Sequence, residues 1–408
     1  MNRDFLLGID ERLSDSLEGL VSLYDMDTMR WFARLWDCEH GAFYYSNSAR
    51  DHEGFLPDLE STSQALRVIS NLGMVSSLGG LSVAMPKEIS ERISGFVDSL
   101  LADDGYFYHP QWGKSISITR RGRDLNCARS IYRMLGTKPP RRTAIEMLEN
   151  KSRSTSDATL PEHLKSKRAF CAYLDGLNIS ESSYAVGNNI NSQIRQIKAA
   201  GLEKELCNWL DSTQNLETGL WQKDTSYKAV SGFMNLSGAY ILSGRRLNHL
   251  DKVMESLLVT VASEIEPSQV VFIYNSIAAV NQVLLLLKNS GDTYGAAKMQ
   301  NVLMERAPEL IDITRRKLEI FRKPDGSYSY TKDFSAHRSQ NVPTALFEER
   351  EGDVNATSIV ANGVIAGLFA VLGVEYKIFD EQDFKEFIGI IKASRPTVKR
   401  AAPEGRIV

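Results

Sequence analysis

The chain has 408 residues, of which 43% are hydrophobic and 24% charged, and a formal net charge of -3. That length supports one large domain or two ordinary ones, and a slightly acidic balance leaves no broad basic footprint for nucleic acid. Four scattered cysteines, Cys38, Cys127, Cys171 and Cys207, have no C-x-x-C or His-rich spacing, so the reading is reduced thiols with neither metal nor cofactor. The N-terminus "MNRDFLLGIDERLSDSLEGL" has neither a continuous apolar stretch nor a small-residue cleavage site. The most apolar run, "VNQVLLLLKN", is too short to span a bilayer. A cytoplasmic protein without a membrane span is expected, and its oligomeric state stays open.

In chain order, "DMDTMRWFARLWD" carries apolar residues at three- and four-residue intervals and reads as an amphipathic helix, with Asp25 as its cap. "EHGAFYYSNSARDHEGFLPDLESTSQALRVISNLG" (39–73) then gives a glycine with aromatics, a polar stretch, an Asp, and an apolar helix ending in Leu-Gly. After the helix "KEISERISGFVDSLLA", a second unit runs from Gly105 through "RRGRD" and Asp124 to Leu135-Gly136. The polar segment 149–170 reads as a loop or lid. "NSQIRQIKAAGLEKELCNWLDSTQ" is helical, and a third unit has Gly219, Trp221 and a helix closing at Gly244. "QVVFIYNSIAAVNQVLLLLKNS" is another helix. The fourth unit, "PDGSYSYTKDFSAHRSQNVPTALFEEREGDVNATSIVANGVIAGLFAVLG" (324–373), repeats the first almost phrase for phrase. A basic, proline-containing segment at 393–408 follows, read as a flexible tail or surface strap.

The four glycines are 64, 114 and 107 residues apart, which leaves room for further helices between the units. Repeats on that scale signal a repeat architecture. Because strand patterns are confined to "GAFYY", "GYFYH" and "GSYSY", the expected fold is all-α. It is an α/α toroid over 1–392, a ring of about five or six helix pairs with short β-hairpins at one end.

"STSQALRVISNLG", "PKEISERISGFVDSLLADDGYFYHP" and "DLNCARSIYRMLGTKPPRR" resemble the repeat of the terpenoid cyclase and protein prenyltransferase toroids. Six-hairpin glycosidases and toroidal polysaccharide lyases use similar helix pairs, so the resemblance implies a fold and leaves the reaction open. The D-x-D-D motif of the cyclases is absent, and "DLNC" lacks the Asp-x-Cys spacing of the prenyltransferases.

In such a ring the N-terminal ends of the inner helices gather Asp58, Glu60, Asp124 and Asp353 at one rim as candidate acids and bases. Each of them is equally the residue that caps a helix, worth about 0.5–2 kcal/mol. Tyr45, Arg50, Arg120, Arg123, Asn189, Trp221, Tyr330 and His337 are the candidate substrate contacts. Paired carboxylates divide acid and base work at a glycosidic bond, and Arg forks match anionic groups. The expected function is therefore a glycoside hydrolase, or a lyase or epimerase acting beside a uronate, on a polar, acidic oligosaccharide or other small molecule. A terpenoid-cyclase-like or prenyltransferase-like enzyme is the alternative, with Asp353 or Asp58 giving a proton to an alkene, and a non-catalytic binding toroid is the third reading.

Overall fold

A computed structural model describes residues 10–149 and 160–407. The chain opens with α1 (Glu11–Val21) and α2 (Met26–Arg34), then a hairpin of β1 (Trp36–Asp37) and β2 (Ala42–Phe43), and the short α3 (Asn47–Asp51). Next come α4 (Leu59–Asn71), α5 (Leu81–Ala84), α6 (Lys87–Leu100), α7 (Ile118–Leu135) and α8 (Ala144–Glu149). After residue 160 follow α9 (Lys167–Asp175), α10 (Ile179–Ala199), α11 (Glu203–Thr213), α12 (Tyr227–Leu236), α13 (Gly238–Ser243) and α14 (Leu250–Val261). Then α15 (Val271–Asn289) and α16 (Thr293–Glu319) lead to a hairpin of β3 (Arg338–Ser339) and β4 (Val342–Pro343). Finally α17 (Val354–Ile359) passes through a π turn (Val360–Ile365) into α18 (Ala366–Leu372), and α19 (Glu381–Ala393) precedes the C-terminal segment.

Six helical runs form the inner wall. Each packs on the next, in the order α4, α7, α10, α12, α15 and α17–α18, and α17 packs back on α4 to close the ring. The remaining longer helices lie outside: α1 on α16, α2 on α19, α6 on α7, and α14 on α15 and α16. This is the α/α toroid expected from the repeats, with the two antiparallel β-hairpins at one end. Both α15 and the run from Val354 to Leu372 are 19 residues long and apolar enough to cross a bilayer, yet most of each is buried inside the ring.

The repeated glycines have one shared cause. Gly41, Gly105, Gly219 and Gly326 all have φ between 70° and 78° or, for Gly326, 85°. A Cβ on any of them would come within 2.4–2.7 Å of backbone atoms at Arg92, Ala144, Val253 and Thr28 respectively. Each turn therefore abuts the next outer element round the ring, and the last of these contacts, at Thr28, joins the fourth unit to the first.

The Leu-Gly endings are helix stops: Gly136 and Gly373 sit in the left-handed region and close α7 and α18. Gly201, at φ 71°, divides what periodicity suggests is one long helix into α10 and α11. Asp25 caps α2, accepting from the backbone N–H groups of Asp27 and Thr28. Within the segment read as a lid, residues 150–159 lie outside the described residues, and a 3-10 turn, Glu162–Leu164, precedes α9. The C-terminal segment lies over the first unit. Arg400 exchanges backbone hydrogen bonds with Asp51 and Glu53, and Lys399 Nζ donates to the carbonyls of Ala49, His52 and Phe55.

Candidate functional site

The two near-identical phrases build the same bracket. In the first unit the Asp58 side chain caps α4 on Ser61 N, its own N–H donates to Phe43 O, and Thr62 Oγ1 accepts from Phe43 N at 3.0 Å. In the fourth, Asp353 caps α17 on Ala356 N, its N–H donates to Tyr328 O, and Thr357 Oγ1 accepts from Tyr328 N at 2.9 Å. The motif D-x-x-[SA]-T thus ties each aromatic turn to its inner helix.

Asp124 is not the third member of this series. The cap of α7 is Ser117, whose hydroxyl accepts from Arg120 N, and Asp124 stands on the next turns of the helix. Ser and Asp cap equally well, so counting back from Leu-Gly alone picks the wrong residue.

Asp124 instead joins a buried ionic cluster between α4 and α7. Arg120, wholly buried, places Nη2 2.8 Å from Asp124 Oδ1 and 3.6 Å from Asp58 Oδ1, and Nη1 3.1 Å from Glu60 Oε2. Arg123 Nη1 lies 2.5 Å from Glu60 Oε1, and the Ser339 hydroxyl donates to Glu60 Oε2 at 2.6 Å. Burial alone would raise the Glu60 carboxyl, but Arg123 and Arg120 hold it down at about 2. Burial pushes the Asp124 carboxyl up to about 6 against the pull of Arg120. The guanidinium of Arg120 also lies 4.3 Å from the Trp112 ring.

Asp353 has a different setting. It is wholly buried, Oδ1 accepts from Ala356 N at 2.8 Å, and Oδ2 accepts from Ala336 N at 3.1 Å. Burial pushes its carboxyl up to about 6 against these donors and the nearby Tyr45 hydroxyl. Tyr45 stands within electrostatic reach of both Asp353 and Glu60, and burial raises its own phenol well above the usual value. The Tyr330 phenol, raised first by burial and then by Tyr184 beside it, completes that side. Asp58, Glu60, Asp124, Arg120 and Arg123 thus form one buried cluster, and Tyr45 links it electrostatically to Asp353, beside which Tyr330 lies.

The other expected contacts divide. Asn189 is exposed and accepts from Thr119 Oγ1 at 2.9 Å, one residue before Arg120 in α7. His337 belongs to the loop that supplies Ala336 N, packs edge-on against Phe347, and has its ring pushed down by burial. Arg50 is elsewhere, holding Asp51 and the Arg34 carbonyl. Trp221 is core: 1% exposed, it donates to Leu210 O and stacks on Phe233.

Two residues escaped sequence reading. Tyr274 on α15 lies within reach of Arg67, Arg123 and Tyr184, and its ring fills the space that a Cβ on Gly363 would take, 2.1 Å from Cδ2. The signal was a glycine inside an apolar helical run. Glu351, pushed up to about 7 by burial, accepts from both the N–H (2.8 Å) and the hydroxyl (2.5 Å) of Ser48.

No protein-family model and no curated protein matches the chain. Among solved structures it is similar to the type II terpene cyclase MstE from Scytonema, in one variant with the product merosterolic acid A and in another with the substrate geranylgeranyl dihydroxybenzoate. Identity is 13% in both cases, over 89% of this chain and 97% and 98% of theirs, with TM-scores of 0.42 and 0.44. The likeness is one of fold.

The expectation of a glycoside hydrolase, lyase or epimerase is corrected here. The solved structures found similar are terpene cyclases rather than carbohydrate-active enzymes. Of the carboxylates that were to divide acid and base work, Asp58, Glu60 and Asp124 are engaged with Arg120 and Arg123, which leaves Asp353 without a free carboxylate partner among those named. Within "RRGRD", Arg120 is wholly buried, Arg123 is paired with Glu60 and Arg121 lies 4.7 Å from the Tyr106 ring, so each of these guanidinium groups has a partner inside the protein.

Proposed function

We propose that the chain is a terpenoid-cyclase-like enzyme that starts ring closure of an apolar isoprenoid by protonating an alkene, with Asp353 as the acid. One observation carries the reading: Asp353 is a wholly buried carboxyl, raised to about 6, with no ion pair among the described residues. Asp58, the other candidate donor, has a guanidinium 3.6 Å away and accepts both the N–H and the hydroxyl of Ser61. An acid near 6 keeps roughly a tenth of its protons at pH 7, enough for a positioned donor.

In the step itself, the alkene π pair takes the Asp353 proton to form a C–H bond. A carbocation remains on the substrate and a carboxylate on Asp353. The N–H groups of Ala356 and Ala336 already point at that carboxylate, so the developing negative charge meets fixed donors. Tyr45, Tyr184, Tyr274 and Tyr330 supply aromatic faces, whose quadrupoles favour a cation by about 0.5–2 kcal/mol each. The substrate class is the one that the solved cyclase holds, an isoprenoid chain on a polar head.

The test is incubation with geranylgeranyl dihydroxybenzoate and with geranylgeranyl diphosphate, with cyclised product followed by mass spectrometry. Asp353→Asn keeps the helix cap and removes the proton, so turnover falls by about 100-fold or more. The wild-type rate falls with rising pH above about 6, because the donor must be protonated. Full activity in Asp353→Asn, or no conversion of either isoprenoid, overturns the reading.

A further inference from the structure

Away from the ionic cluster, a hollow lies at the C-terminal end of α7, between it, the following loop and α8. There a cleft of about 690 Å³ is lined by Arg129, Arg133, Lys138, Arg141 and Arg142 and, among the described residues, by one carboxylate, Glu146. That carboxylate is occupied, accepting from the N–H (2.7 Å) and hydroxyl (2.9 Å) of Thr143. Arg141 is held by Asp103 and the Leu101 carbonyl. The other four cations have no hydrogen bond or ion pair among the described residues.

From this arrangement we propose that the cleft binds an anionic ligand bearing two or more phosphate groups. A helix C-terminus accounts for one cation, Arg133 in the last turn of α7, worth about 0.3–1 kcal/mol to the helix. It does not account for Lys138 and Arg142 converging from the loop. That loop is shaped by Pro139 and Pro140, which fix φ, by the Thr137 N–H on Tyr132 O, and by the anchored Arg141. Four like charges held around one hollow, unpaired among the described residues in a chain of net charge -3, repel one another until an anion enters. Guanidinium forks match phosphate oxygens two at a time, and the volume exceeds what a single phosphate fills. Arg133 is 13 residues along α7 from Arg120, about 20 Å at 1.5 Å per residue, so the cleft is separate from the ionic cluster.

The same chemistry is offered by a free diphosphate and by the phosphates of a lipid surface. The experiment has an arm for each: calorimetric titration with inorganic pyrophosphate at low salt, and co-sedimentation with phosphatidylcholine vesicles with and without phosphatidylglycerol. Binding in either arm, weakened by salt and reduced at least about 10-fold in Arg133→Glu/Arg142→Glu, supports the site and identifies its source. Lys252→Glu, a charge reversal on α14, which packs against α15 and α16, leaves binding unchanged. Because Arg133 and Arg142 are exposed and unpaired, the double variant keeps the wild-type melting curve. No binding in both arms, or equal binding by the double variant, overturns the proposal.

Discussion

Arg120 meets Asp58, Glu60 and Asp124 within 3.6 Å and has no exposed surface. Removing it strands buried carboxylates, and breaking such a set costs about 3–5 kcal/mol. Arg120→Met is expected to lose that much in urea unfolding, whereas Arg50→Ala, at a half-buried pair with its neighbour Asp51, loses less than about 1 kcal/mol. The acids also pull stability in opposite directions with pH. Glu60, held at about 2 against its usual 4.5, contributes stability that is full above 4.5 and lost as pH falls toward 2. Asp353, raised from 3.8 to about 6, does the reverse: the folded state binds its proton more tightly, so its contribution is full below 3.8 and lost as pH rises to about 6. Asp353→Asn therefore gains on the wild type by on the order of 2–3 kcal/mol between pH 4 and pH 7, measurable by denaturation at the two values.

Among the elements, the helix through Val354–Leu372 carries a π turn where Gly363 admits the Tyr274 ring. Gly363→Ala puts a methyl 2.1 Å from Tyr274 Cδ2, and the overpacking costs about 1–3 kcal/mol by thermal unfolding. Gly363→Ala/Tyr274→Ala recovers part of it, since the clash is with that ring. At this scale much was legible. Leu-Gly stops and Asp caps are local grammar, because each satisfies backbone groups a few residues away, and the Gly-aromatic turns and bracketing Thr were legible because they recur, the Thr bonding a turn 19 or 29 positions earlier. Asp124 was misassigned because Ser117 performs the same cap with another side chain. The ionic cluster was not legible as a cluster: Glu60 draws on Arg120, Arg123 and Ser339, and Ser339 is 279 positions away. Only ring closure brings such partners together. The polar rim therefore suggested a polar ligand, when most of its charge is answered internally.

Across the whole molecule, the joint between first and fourth units is made of long-range pairs. Arg322 Nη2 reaches Asp25 Oδ2 at 2.5 Å, Thr28 Oγ1 donates to Gly326 O at 2.8 Å, and Gln64 Nε2 donates to Asn355 Oδ1 at 3.0 Å. Glu351 crosses the same joint to Ser48, 303 positions earlier. Ser48→Ala removes the hydroxyl that faces this buried carboxyl and is expected to cost about 1–3 kcal/mol. Glu351→Gln, whose amide oxygen still accepts the Ser48 N–H while its NH2 donates to the Ser48 hydroxyl oxygen, costs less; comparing the two unfolding midpoints checks the order.

That joint also sets an order of events during synthesis. At roughly 5–20 residues per second, α4 leaves the ribosome many seconds before its neighbour α17 exists, because the start of α17 at Val354 follows the end of α4 at Asn71 by 283 positions. Throughout that interval the nascent chain is an open arc, with the apolar flank of α4 and the turn-facing edge of α2 uncovered. Such surface invites chaperone holdases or aggregation, so a chain that stalls before α17 has most of its helices and no finished product.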